Sequence, residues 1–140
     1  MNNEQGISNV EVVKSTRKFD LEDRLVDFAV LIINISNSIA NTKAGNHLEG
    51  QLVRSGTSPA LQYGEAQSAE SSNDFIHKLK ILLKELRESL VAMKIIKKAS
   101  LSNNSTLIEN GMKECNELIS IFVKSIDTSR KNNIKKKSTE

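Results

Sequence analysis

Residues 51–90 read QLVRSGTSPALQYGEAQSAESSNDFIHKLKILLKELRESL, and two different helical patterns meet in this stretch. Its first half gathers small residues at Ser55, Gly56, Thr57, Ser58, Pro59 and Ala60. Its second half starts a seam of Phe75, Leu79, Leu82, Leu86, Leu90 and Met93, recurring at three and four, with Ile76 and Leu83 beside it. That spacing puts them on one wide stripe of an α-helix, as a helix covered from two sides requires. The small-residue half is a poor helix former, since each glycine costs about 1 kcal/mol and an interior proline about 3. It still reads as a helix over 46–70, because Leu48, Leu52, Ser55, Pro59, Gln62 and Ala66 share a face. Small side chains on that face let a neighbouring helix come close. Pro59 removes one backbone hydrogen bond and is expected to kink the helix, with Ser and Thr hydroxyls available to the freed carbonyl.

On the N-terminal side, Asp20 is placed to cap a first helix that runs to about 41, with Asp23 near its positive end. Leu21, Leu25, Phe28, Ile32, Ile35 and Ile39 form its stripe, widened by Val30 and Leu31. Residues 1–19 lack sustained periodicity and read as a flexible arm, with a short extended piece at 10–13. The third helix, capped by Ser72 or Asn73, runs to about 97. A polar run at 100–105 leads to a fourth helix over 106–128, with Ile108, Met112, Cys115, Ile119, Phe122 and Ile126 inward, joined by Leu118 and Val123. Four amphipathic helices on short links predict an all-α, up-down-up-down four-helix bundle over 20–129. Residues 130–140, RKNNIKKKSTE, read as a basic flexible tail.

Composition agrees with that architecture and narrows the function. Of the 140 residues, 38% are hydrophobic, but with four Phe, one Tyr and no Trp the core must be built from aliphatic ridges. The length suits one domain. The longest apolar run, 28–33, stops at Asn34, far short of the roughly 18 residues of a membrane span. The N-terminal residues lack the basic flank and apolar core of a signal peptide, so a cytoplasmic location without membrane contact is expected. Cys115 is the single cysteine and falls on an apolar helix face, the place of a buried small hydrophobe. The net charge of +3 comes from the C-terminus: residues 1–129 hold 15 bases against 16 acids, residues 130–140 five bases and one acid.

The two histidines, His47 and His77, lie in different helices, and only the Asp74/His77 pair has helical ligand spacing. A dimetal bundle needs inward Glu on several helices with paired Glu-x-x-His motifs, so no metal or other cofactor is expected. Glycine loops for phosphates and nucleophile elbows are missing too, and the chain reads as a non-enzyme. The chemical signal is a basic stripe. Lys80, Lys84, Arg87, Lys94 and Lys98 share one side of the third helix, off the leucine seam, and from 78 to 98 seven bases face only Glu85 and Glu88. Such a row can follow a phosphate backbone with salt-sensitive strength. A solvated face with local pairs such as Lys84–Glu88 is the more usual role of such a charge run. Lys135, Lys136 and Lys137 in the tail carry the same two readings. Arg54 and Glu65, eleven residues apart on nearly one side of the second helix, are placed to make structural ion pairs with a neighbouring helix or another subunit.

The segment 54–89 resembles the signature of the bacterial four-helix bundle proteins named for the intervening sequences of large-subunit ribosomal RNA genes. The positions that carry the resemblance are the run Arg54, Ser55, Gly56, Thr57, Ser58, then Glu65, Ala66, and then Asp74, Phe75, Ile76, Lys78, Lys84, Glu85 and Glu88. They span about a quarter of the 140 residues. The resemblance implies an up-down bundle that assembles as a homo-oligomeric ring, with a pentamer expected. The chain is also similar to the accessory variability proteins of diversity-generating retroelements, basic pentameric bundles that engage nucleic acid and a reverse transcriptase. It departs from the first pattern in having Gln62 where the family usually has Asn, and from the second in its nearly neutral body. Taken together, these readings lead to an oligomeric bundle that binds structured RNA or other nucleic acid through the third-helix stripe and the tail. The alternative is a ring-forming scaffold or adaptor for a protein partner, with Arg54, Ser58 and Glu65 serving assembly.

Overall fold

The computed structural model describes residues 20–139 as four helices: α1, Leu21–Ser36; α2, Lys43–Gln67; α3, Ser72–Lys98; and α4, Ser105–Thr139. The readings made for residues 1–19, including the extended piece at 10–13, lie outside the described residues. Each helix start is held by a side chain that accepts from a first-turn N–H. Asp20 accepts from Asp23 (3.2 Å), Thr42 from Gly45 (3.0 Å), Ser71 from Asp74 (3.1 Å) and Asn104 from Leu107 (3.1 Å). The third cap is thus Ser71, one residue before the expected pair.

The second helix lies three residues earlier than the expected 46–70, at Lys43–Gln67, and two other helix ends differ more from the sequence reading. The first helix stops at Ser36 rather than near 41, because serine hydroxyls take over its last carbonyls. Ser36 and Ser38 each donate, at 2.6 Å, to Ile33 and Ile35. The chain beyond them then pairs with the α3–α4 connection: Ala40 donates to Leu101 (2.8 Å), Asn103 donates to Ser38 (2.9 Å), and Ile39 and Ser102 form an antiparallel bridge. The fourth helix continues to Thr139, eleven residues past the expected 128, through the stretch read as a flexible tail. No glycine or proline interrupts residues 129–139. Lys131 pairs with Asp127 one turn earlier (3.0 Å), and the Asn133 amide donates to Asn73 on α3 (3.0 Å). Lysines in the last turns also suit the negative end of a helix.

The helices pack in chain order, α1 on α2, α2 on α3 and α3 on α4, with α1 against α4 closing the up-down bundle. Leu25, Phe28, Ile32 and Ile35 of α1 meet Leu52 of α2, Leu79, Leu82, Leu86 and Met93 of α3, and Ile108, Leu118 and Phe122 of α4 in one buried core. Val30 and Val123, expected to widen the inner stripes, are instead about half exposed, since a stripe this wide has already been filled by its central residues. The small residues of α2 do what their size allows. A Cβ placed on Gly56 would lie 2.6 Å from Cγ1 of Ile32, so α1 and α2 touch backbone to side chain there. Gly111 does the same for α4, where an added Cβ would meet Ile35 at 2.5 Å and Met93 at 2.8 Å. Between α2 and α3, the buried Ser89 hydroxyl donates to Ser55 (2.8 Å). Around Pro59 the helix is unbroken to Gln67, and the Ser55 and Thr57 hydroxyls bond the carbonyls of Leu52 (3.4 Å) and Val53 (2.6 Å), not the one that Pro59 frees. Arg24 of α1 clips α4 through Glu114 and Glu117, at 2.8 Å each.

Candidate nucleic-acid interface

Along α3 the leucine seam is turned inward, and the residues a half-turn away are necessarily outward. Lys80, Lys84, Arg87, Lys94 and Lys98 are all exposed. The row from Lys80 to Lys98 runs about 27 Å at the helical rise of 1.5 Å per residue. Among the described residues none of the five makes an ion pair, whereas the other two bases of this segment are taken: Lys78 by Glu65 (3.2 Å) and Lys97 by Glu109. The expected Lys84–Glu88 pair does not form. Glu88 and Glu85 turn instead to Arg54 of α2, the latter at 2.9 Å. The hydrogen bond that Arg54 donates to Glu88, followed by the charge of Glu85, holds the guanidinium pKa above its ordinary value. A guanidinium offers several donors at fixed angles and so serves two carboxylates at once, which a lysine from the same helix does not. The consequence for the stripe is simple. Its only two acids are neutralised from the neighbouring helix, and its five outward cations are left to solvent.

The stripe is not purely ionic. Val91 and Ile95, 54% and 46% exposed, lie between Arg87 and Lys98 on the same outer side. Lys135 and Lys136 are exposed on the extension of α4, while the Lys137 side chain lies outside the described residues. The extension also carries Arg130, which the sequence reading left in the tail. Because α4 continues as a helix, Arg130 borders a groove with Asn73, His77 and Lys80 at the start of α3. The lack of any glycine or proline over 129–139 was the signal that could have carried the helix on to it.

The residues assigned to assembly fall on α2. Arg54 and Glu65 make intrachain pairs with α3, and Ser58 is half-buried. Gln62, the departure from the family pattern, has a buried side-chain oxygen without a hydrogen-bond partner. His47 and His77 are both exposed, and no three His, Cys, Asp or Glu side chains among the described residues are grouped to hold a metal. Nor is any described helix long and apolar enough to cross a membrane. Cys115 is buried, its thiol donating to the Leu86 carbonyl (3.1 Å), and burial pushes its pKa up to about 12.

No protein-family model and no curated protein matches the chain. A solved structure does. It is a protein of unknown function from Bacteroides thetaiotaomicron in the S23 ribosomal protein family, with 28% sequence identity and a TM-score of 0.69 over 75% of this chain and 96% of that one. In fold and in sequence the chain is therefore similar to a member of the S23 ribosomal protein family, that of the rRNA intervening-sequence proteins which residues 54–89 resemble.

Proposed function

We propose that this chain is a non-enzymatic, cytoplasmic four-helix bundle that binds structured RNA or other nucleic acid along the outer side of α3. The observation that carries the reading is the set of five exposed, unpaired bases at Lys80, Lys84, Arg87, Lys94 and Lys98, on a helix whose two facing acids are engaged by Arg54. Cations held on a rigid rod but free of partners can replace the counterions of a phosphate backbone without first breaking a salt bridge. Lys135 and Lys136, exposed on α4, and Lys137 after them in the sequence add positive charge near the C-terminus. With one Tyr and four Phe in the chain, most of them in the core, base stacking contributes little, and recognition is of backbone and shape.

A homo-oligomeric ring, in pentameric form, is the assembly we attach to this reading. Its support is the outer stripe of Val26, Val30 and Ile33 on α1, each close to half exposed and recurring at four and three. A contiguous apolar stripe of this kind is commonly covered by another surface. Arg54 and Glu65 would then brace α2 against α3 within each chain, with Ser58 on the same helix serving assembly. The same stripe favours the second reading, a scaffold for a protein partner.

Fluorescence anisotropy of a labelled RNA hairpin, titrated with the chain across a salt series, tests the proposal. Affinity should fall steeply with salt and be lost on reversing the charges of Lys80, Lys84 and Arg87. Absence of binding at low salt by the unaltered chain removes the nucleic-acid reading and leaves the scaffold. Light scattering that gives a monomer of 15.5 kDa at micromolar concentration removes the ring.

A further inference from the structure

The groove between the start of α3 and the extension of α4 brings together basic side chains from both helices. It encloses about 390 Å³ and is bordered by Lys80, His77 and Asn73 from one helix and Arg130, Asn133 and Ile134 from the other. No acidic residue lines it. Neither Lys80 nor Arg130 is in an ion pair among the described residues, although Arg130 is next to Lys131, which pairs with Asp127. Two cations from different helices therefore face one space with nothing to neutralise them. The groove is also held in shape before any ligand arrives: the Asn133 amide donates to Asn73 across it (3.0 Å), and Ile76 beneath is almost fully buried.

We infer that this groove is a binding site for one sugar-phosphate unit of the nucleic acid, with the phosphate held between Lys80 and Arg130. The inference rests on the reading of α3 as a nucleic-acid surface and adds a site that no single helix contains. Its chemistry selects the ligand. A guanidinium fork grips two phosphate oxygens at once, and the ammonium supplies a point charge from the other side. The groove is open to solvent, so it can admit a phosphate that remains part of a chain. Ile134, 68% exposed at the rim, offers an apolar surface to the sugar. Lys80 belongs to both the groove and the stripe, so a strand lying along α3 passes into the groove without leaving positive potential.

The test uses the full chain, a fluorescent RNA hairpin with a single-stranded extension, and three proteins: the unaltered chain, Arg130→Gln and Lys131→Gln. Both variants lose one exposed charge on adjacent residues, and circular dichroism checks that both keep their helix content. Arg130→Gln should weaken binding and lower the log–log salt slope by about 0.7–0.9, the change for one phosphate contact. Lys131→Gln, whose lysine is engaged by Asp127, should leave the slope unchanged. If Arg130→Gln and Lys131→Gln behave alike while the unaltered chain binds, the groove inference is overturned and the α3 reading survives. If the unaltered chain does not bind, both fall. Inorganic phosphate displacing the RNA far better than chloride at equal ionic strength would assign the groove to a free anion and overturn the nucleic-acid assignment.

Discussion

Replacing Gly56 by alanine puts the close approach of α1 and α2 to a direct test. The new Cβ would lie 2.6 Å from Cγ1, 2.7 Å from Cγ2 and 3.0 Å from Cβ of Ile32. Carbon atoms prefer about 3.5 Å or more, so the two helices must separate locally by about 0.9 Å. Ile32 cannot turn aside, because it is fully buried and a β-branched residue in a helix has essentially one χ1 rotamer. Overpacking of this kind costs about 1–3 kcal/mol, and contact with the root of the side chain puts it near the upper value. Alanine is favoured over glycine in a helix by about 1 kcal/mol. The expected net loss is therefore about 1–2 kcal/mol. Gly50→Ala is the internal standard: the same helix, nothing within 4 Å of the new methyl, and an expected gain of about 0.5–1 kcal/mol. Urea unfolding followed by circular dichroism, at one fixed protein concentration so that any assembly contributes equally, measures both. In an Ile32→Ala background the contacts with Cγ1 and Cγ2 are gone and only the 3.0 Å contact with Cβ remains, so Gly56→Ala should cost clearly less than in the unaltered chain. A Gly56→Ala chain that gains as much as Gly50→Ala would refute the reasoning.

Two further outcomes follow from other parts of the bundle. Ser100 ends α3 with φ 56°, in the left-handed region, while its N–H and that of Leu101 reach back to Lys97 (3.1 Å) and Ile96 (3.0 Å). Glycine takes that conformation without strain, so Ser100→Gly should raise stability by about 1 kcal/mol in the same urea assay, and a loss would show that the serine is not strained. Cys115 has its folded-state pKa raised to about 12 by burial and then by the charge of Glu114, from an ordinary value of 9.0. A raised pKa in a group that is neutral when protonated means that the folded chain holds its proton and the unfolded chain releases it. That stability is fully present below pH 9 and is lost as the pH rises towards 12, by up to about 1.4 kcal/mol per pH unit. Relative to Cys115→Ala, the unaltered chain should lose stability only above pH 9, and parallel curves for the two across that range would contradict the burial argument.

The periodicities of three and four were enough to find four helices, their order and most of the core, because a long amphipathic stripe has only one face that water will not solvate. The place where Gly56 stands in RSGTS was legible as a close contact, but not that Ile32 was the residue on the other side. Helix ends were less legible. The stop of α1 at Ser36 combines local bonds from serine hydroxyls with a bridge to residues 101–103, more than sixty positions away. The run RKNNIKKKS has too little apolar surface to specify a helix alone, and it is carried on by the 25 helical residues before it and by Asn73 across the groove.

The candidate site divides in the same way. The sequence by itself determined which bases share a side of α3, since that follows from 3.6 residues per turn. Which of them are free was decided by tertiary structure. Glu85 and Glu88 lie on the same helix as Lys84, yet it is Arg54, some thirty residues earlier, that takes both. Arg130 and Lys80, fifty residues apart, come to face one groove only because α4 folds back along α3. A helix dictates the neighbours of a charge at three and four residues; the partners it meets beyond that are set by packing of the apolar faces, which orients every outward charge without regard to its position in the chain.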